Sequence, residues 1–124
     1  MKIWKALVPM LLYTSYVTAH HAEAAFDQNK LASVPGTVKE FLWANPHALV
    51  YLEVIGPSGR IDVNVFEGGS VQAMRRKGWS DASLKSGDKV TIDYHPRRDN
   101  APGGMLVAAT LADGKKLTWQ LSMP

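Results

Sequence analysis

The sequence contains no cysteine, so no disulfide closes its loops and no thiolate is available as nucleophile or metal ligand. It has no Asn-x-Ser/Thr acceptor for N-glycosylation, no internal repeat and no low-complexity tract. Its apolar runs stop well short of the ~20 residues that a membrane-crossing helix needs. Catalytic signatures are missing as well. There is no phosphate-binding glycine-rich loop, no His-Glu-x-x-His, no Cys-x-x-Cys and no Gly-x-Ser-x-Gly; Gly68-Gly69-Ser70-Val71-Gln72 departs from the last at its final position. Asp62, Asp81, Asp88 and Asp113 fall on turns or solvent-facing strand positions and form no carboxylate pair. These absences point away from an enzyme.

What is present begins with a segment unlike the rest. Met1–Lys5 carries two lysines, Ala6–Tyr13 is mostly apolar, and Thr14–Ala19 is polar with small residues. That is the pattern of a secretory signal peptide over residues 1–19, with Val17-Thr18-Ala19 as cleavage site and Ala22-Glu23-Ala24 as a second option. Loss of Lys2 and Lys5 leaves twelve basic residues against eleven acidic ones, a formal charge of +1 rather than +3. A near-neutral exported protein lacks the electrostatic footprint of a nucleic-acid binder. The mature chain is expected in the periplasm, with no transmembrane span, and is long enough to fold on its own core.

Residues 20–32 read as a polar, Ala-rich arm and residues 33–124 as one domain. Gly36-Thr37-Val38, Phe41 and Trp43 mark a first strand, with a bulge or bend between Val38 and Phe41. After the Asn45-Pro46 corner, Val50, Leu52 and Val54 alternate with Leu49, Tyr51, Glu53 and Ile55, a half-buried second strand. Gly56-Pro57-Ser58-Gly59 is a turn, and Ile61, Val63 and Val65 alternate with Arg60, Asp62 and Asn64 in a third. The period then changes. Ser70 is a candidate N-cap for a short helix holding Val71, Met74 and Arg75, with Gly78 as C-cap. Val90, Ile92 and Tyr94 mark a fourth strand, Met105–Leu111 a fifth, and Asp113-Gly114 a hairpin into Leu117, Trp119 and Leu121.

Three meandering strands, a short helix, then two or three more strands are the order of an OB-fold. The expected class is therefore all-β with one short helix, a small OB-fold-like Greek-key barrel of five to six strands. A split sandwich or another small barrel of similar strand count is the alternative.

A set of residues along this frame resembles a known family. Ala19-His20-His21, Phe26-Asp27, Gly36-Thr37-Val38, Trp43-x-Asn45-Pro46-His47, Phe66-Glu67, Gly78-Trp79, Leu84-x-x-Gly87-Asp88-x-Val90 and Asp113-Gly114 are similar to an uncharacterised family of exported bacterial proteins, domain of unknown function 6152. The resemblance spans nearly the whole mature chain. It implies a small exported β-barrel and brings no activity, substrate or cofactor with it. The sequence departs from the family pattern at Ala22-Glu23, where Ser and Phe are usual, and at Val71, where Pro often follows Gly-Ser.

The histidines are the one group with ligand character. Cleavage after Ala19 makes His20 the N-terminal residue, whose amine and imidazole together suit Cu or Zn, with His21 or His47 as a further nitrogen ligand. Cleavage after Ala24 discards His20 and His21. The plainer reading is that His47 hydrogen-bonds its turn and that His95, before Pro96, is solvated. Trp43, Asn45, Glu67 and Trp79 are the candidate ligand or partner surface, since aromatics on an OB surface stack on bases or sugars. Core packing is the competing role for the tryptophans, Trp119 included, and solvation for Glu67. The run Arg75-Arg76-Lys77 suits an exposed helix end. Taken together, these features predict an exported, non-enzymatic binding or accessory module of the bacterial envelope, engaging an unknown ligand or envelope protein. The alternative is a periplasmic copper- or zinc-binding protein.

Overall fold

A computed structural model describes residues 24–121. The expected signal segment lies outside them, as do His20 and His21. Among the described residues, six strands and a short helix follow one another as β1 (Ala32–Leu42), β2 (Leu49–Ile55), β3 (Ile61–Glu67), α1 (Val71–Arg76), β4 (Lys89–Pro96), β5 (Gly103–Leu111) and β6 (Lys116–Thr118). The sheet order is β3-β2-β1-β4-β5-β6, and β3 also pairs with β5 in parallel, Val65 beside Gly103 and Glu67 beside Met105. That last pairing closes the sheet. The result is a mostly-β closed barrel of OB-fold-like Greek-key form, with its helix between β3 and β4.

Closure depends on β1 serving two neighbours. Its first half pairs with β4 and its second half with β2, and Thr37 is the partner of both Lys89 and Glu53. The strand has to bend sharply where it changes partner. Gly36 sits there because a Cβ at this position would lie 2.5 Å from the Glu53 carbonyl oxygen. The expected irregularity after Val38 is also present, as a register shift between Val38 and Glu40. It turns Val38 and Phe41 to the interior together.

The interior is filled from every strand. Val38, Val50, Leu52, Phe66, Ile92 and Leu106 are buried, and Met74 of α1 plugs one end. The short helix forms where the sequence signals it. Ser70 is the N-cap, its side chain accepting from the Ala73 N–H at 3.2 Å, and Gly78 has φ of 92° just past the end. Trp79 follows at once and is only 1% exposed. Its indole N–H donates to the Thr118 carbonyl at 3.0 Å, which ties β6 to the helix end.

The arm before β1 is not a loose leader among the described residues. Phe26 is buried and bridges Arg97, the Asp27 N–H donates to the Pro96 carbonyl at 2.8 Å, and the Arg98 N–H donates to the Ala25 carbonyl at 2.9 Å. One apolar side chain and a few backbone bonds thus extend the barrel past the end of β4. His95 corrects an expectation here. It is buried rather than solvated, because the arm covers it, and its Nδ1 lies 2.7 Å from the Lys30 carbonyl oxygen.

Candidate functional site

The Asn45-Pro46-His47 corner joins β1 to β2, and the Asn45-Pro46 peptide is cis. It is stitched to the chain that enters the helix. The Ala48 N–H donates to the Gly69 carbonyl at 2.8 Å, the Gly68 N–H donates to the Ala48 carbonyl at 2.8 Å, and the Val71 N–H donates to Asn45 Oδ1 at 3.1 Å. His47 Nδ1 stands 2.7 Å from Glu67 Oε1, with both side chains partly exposed. The corner therefore holds the β3–α1 junction in place.

Side chains of directly paired residues share a face of the sheet. Register places Leu49 beside Glu67, Tyr51 beside Val65, Glu53 beside Val63, and Ile55 beside Ile61; on the other side, Leu42 stands beside Leu49 and Glu40 beside Tyr51. The opposite face of β2 carries Val50 and Leu52, which are fully buried. The Ile61, Val63 and Val65 set of β3 consequently lies on the outside of the barrel. Among the described residues seven large hydrophobics are exposed, and five of them (Leu42, Ile55, Ile61, Val63 and Val65) lie on this one face. Scattered exposed apolar residues need no explanation, but a contiguous set is a mark of an interaction surface.

The face ends in a shallow cleft on each side. One, of about 310 Å³, is lined by Leu49, Val65, Glu67, Phe26, Arg97 and Pro102 among others, between the start of β2 and the loop from β4 to β5. The other, of about 430 Å³, includes Thr37, Glu53, Ile55, Lys89 and Thr91, where β1 changes partner. Three carboxylates, Glu40, Glu53 and Glu67, interleave with the apolar side chains. Arg97 is engaged, its guanidinium donating to Asp99 through Nε at 3.0 Å and Nη2 at 2.9 Å. The hydrogen bonds and charge of Asp99 raise the Arg97 pKa, with a smaller contribution from Glu67. The Asp99 carboxyl is correspondingly lowered to about 2 by the Arg97 hydrogen bond and the Ala101 N–H.

The residues singled out from sequence separate into different roles. Glu67 lies on the exposed face. Asn45 is a helix cap, Trp43 packs half-buried against the core with its ring 5.6 Å from Phe41, and Trp79 is a core residue. The copper or zinc expectation is corrected. Among the described residues no three His, Cys, Asp or Glu side chains stand together to hold an ion, and His47 is taken up by Glu67. The residues that sequence reasoning missed are Tyr51, Val63 and Val65 of the face and Phe26 and Arg97 of the cleft. The signal for the first group was the alternation of β2, for Tyr51, and of β3, for Val63 and Val65, whose outward direction only the register reveals.

Fold and surface together define a class, a small closed barrel with an apolar outer face flanked by two clefts. The sequence matches a family model over residues 10–109, and the chain belongs to that family, DUF6152, described as a family of unknown function. No curated protein and no solved structure matches it. No helix among the described residues is long and apolar enough to cross a membrane.

Proposed function

We propose that the chain is an exported, non-enzymatic binding or accessory module of the bacterial envelope, and that its ligand seats on the outer face of β2 and β3. The observation that carries this reading is the gathering of Leu42, Ile55, Ile61, Val63 and Val65 on that face. OB barrels use the same region, between the loop from β1 to β2 and the loop from β4 to β5, for their ligands, which supports the placement as an analogy of fold. Export rests on the basic, apolar and small-residue order of residues 1–19.

The test has two parts. Intact mass of the protein recovered from the envelope fraction should begin at His20 or Ala25; retention of Met1 overturns export. Amide chemical-shift mapping against peptides, oligosaccharides and single-stranded oligonucleotides should find a ligand that moves Tyr51, Val63 and Val65. Ligands that map only to the opposite side of the barrel overturn the placement.

A further inference from the structure

The barrel leaves part of one strand without a neighbour. β3 pairs with β2 along its whole length, but its other edge meets β5 only from Val65 to Glu67. Among the described residues, Ile61 to Asn64 have no sheet partner on that side. Unpaired backbone donors and acceptors on a strand edge are a template for another strand. We propose that the occupant is an extended segment of a partner polypeptide with alternating apolar and basic side chains, added along the Ile61–Asn64 edge. This rests on the reading of the β2–β3 outer face as the ligand surface and names the class of ligand.

The alternation follows from β3 itself. Residues of an added strand opposite Ile61 and Val63 fall on the outer face, beside side chains that are 61% and 41% exposed, and apolar partners there bury that surface. The residue between them falls opposite Asp62. That carboxylate is about half exposed and its nearest cation, Arg60, is 3.7 Å away and itself largely in water. A basic side chain opposite it completes a favourable cross-strand pair. Glu53, paired with Val63, and Glu40, beside Tyr51, lie on the outer face, away from Asp62, and disfavour an acidic residue among the apolar ones there. The nearby cations are Arg60, Lys39 at the β1 bulge, Lys89 in the far cleft, and Arg97, which Asp99 holds.

Other occupants fit less well. A nucleic acid brings phosphates to Glu40, Glu53 and Glu67. An oligosaccharide would find Tyr51 as the one aromatic among the paired residues of this face. A second copy, aligned antiparallel so that the free edges coincide with Ile61 opposite Val63, sets two Asp62 carboxylates directly opposite each other, which is destabilising.

The experiment uses the full mature protein, isotopically labelled, and two capped heptapeptides, one alternating Val and Lys and one alternating Val and Glu. The Val/Lys peptide should move the amides of Ile61 to Asn64 and slow hydrogen exchange at the edge, and added salt should weaken it. Asp62→Lys, an exposed substitution, should weaken it about fivefold or more while leaving the remainder of the spectrum unchanged. Equal binding of the two peptides, or no change at Ile61 to Asn64, overturns the proposal. So does self-association through the edge in sedimentation. An oligosaccharide or oligonucleotide that moves Tyr51 and Val65 but not the edge overturns this inference and leaves the ligand face standing. If no probe of any kind reaches the face, both fall.

Discussion

Asn45 Oδ1 accepts the backbone N–H of Val71 across 3.1 Å, so a corner between two strands caps a helix that starts far along the chain. Ser70 supplies the adjacent cap, through the Ala73 N–H. Two side chains thus satisfy two of the free donors at the start of a helix only six residues long.

Replacing Asn45 by Ala should cost about 1 kcal/mol, the usual value of a lost N-cap. For a domain of this size that lowers Tm by roughly 4–8 °C. Asn45→Asp should retain most of the stability, since a carboxylate accepts the same bond at a favourable helix end. Denaturant unfolding with an unchanged m-value is the check. Equal losses in the two variants would show that the cap contributes little.

Trp79→Ala should be far more damaging, about 3–5 kcal/mol, because it empties a fully enclosed site. Trp79→Phe should lose less but still release β6, since the indole N–H holds the Thr118 carbonyl. Hydrogen exchange at Lys116–Thr118 should therefore quicken in the Phe variant more than exchange in β2. A uniform change across the barrel would argue against a local tether.

Gly36→Ala should destabilise by about 1–3 kcal/mol, as overpacking typically does. The added carbon meets a backbone oxygen on one side and the Leu52 side chain on the other. Calorimetry of this variant beside Gly114→Ala separates two effects. Gly114 has open space around it and a φ of 87°, so its cost comes from the backbone alone.

The Asp99 carboxyl should titrate near pH 2, well below its usual range, when followed by carbon-13 chemical shift. The folded pKa is depressed, so whatever stability the pair contributes is present above the unfolded value. It is lost as pH falls through the folded one. Arg97→Ala should return the Asp99 midpoint most of the way toward 3.8. A midpoint that stays low would assign the shift to the Ala101 N–H instead.

His47→Ala should change stability by less than about 1 kcal/mol, because the pair with Glu67 is exposed to water. A loss of several kcal/mol would mean that His47 supports the corner in a way that its visible contact does not explain.

Much of the barrel was legible because its signals are local. The Val50, Leu52 and Val54 alternation, the Ser70 cap, the Asp113-Gly114 turn and the bulge after Val38 each depend on residues close in sequence. The candidate face was less so. Alternation along β3 sorts Ile61, Val63 and Val65 from Asp62 and Asn64, but which set faces out follows from pairing with β2, where Val50 and Leu52 take the interior. Trp79 stands at the helix end with ligand surface and core packing both open to it from sequence, and its burial and the Thr118 carbonyl that receives its N–H put it in the core. His95 misled because the segment that buries it lies 65 residues away.

The pairing of Val65 with Gly103 has a consequence for how the molecule comes into being. Two strands far apart in the sequence must meet before the sheet becomes a ring, and until then β3 has an open edge on both halves. Such distant contacts form late and slowly. A chain emerging from its N-terminus therefore has β1 to β3 as an open hairpin array until residues beyond 103 arrive. During that interval the open edge of β3 is at its longest, so the unfinished chain is most exposed to stray strand pairing just before the ring closes.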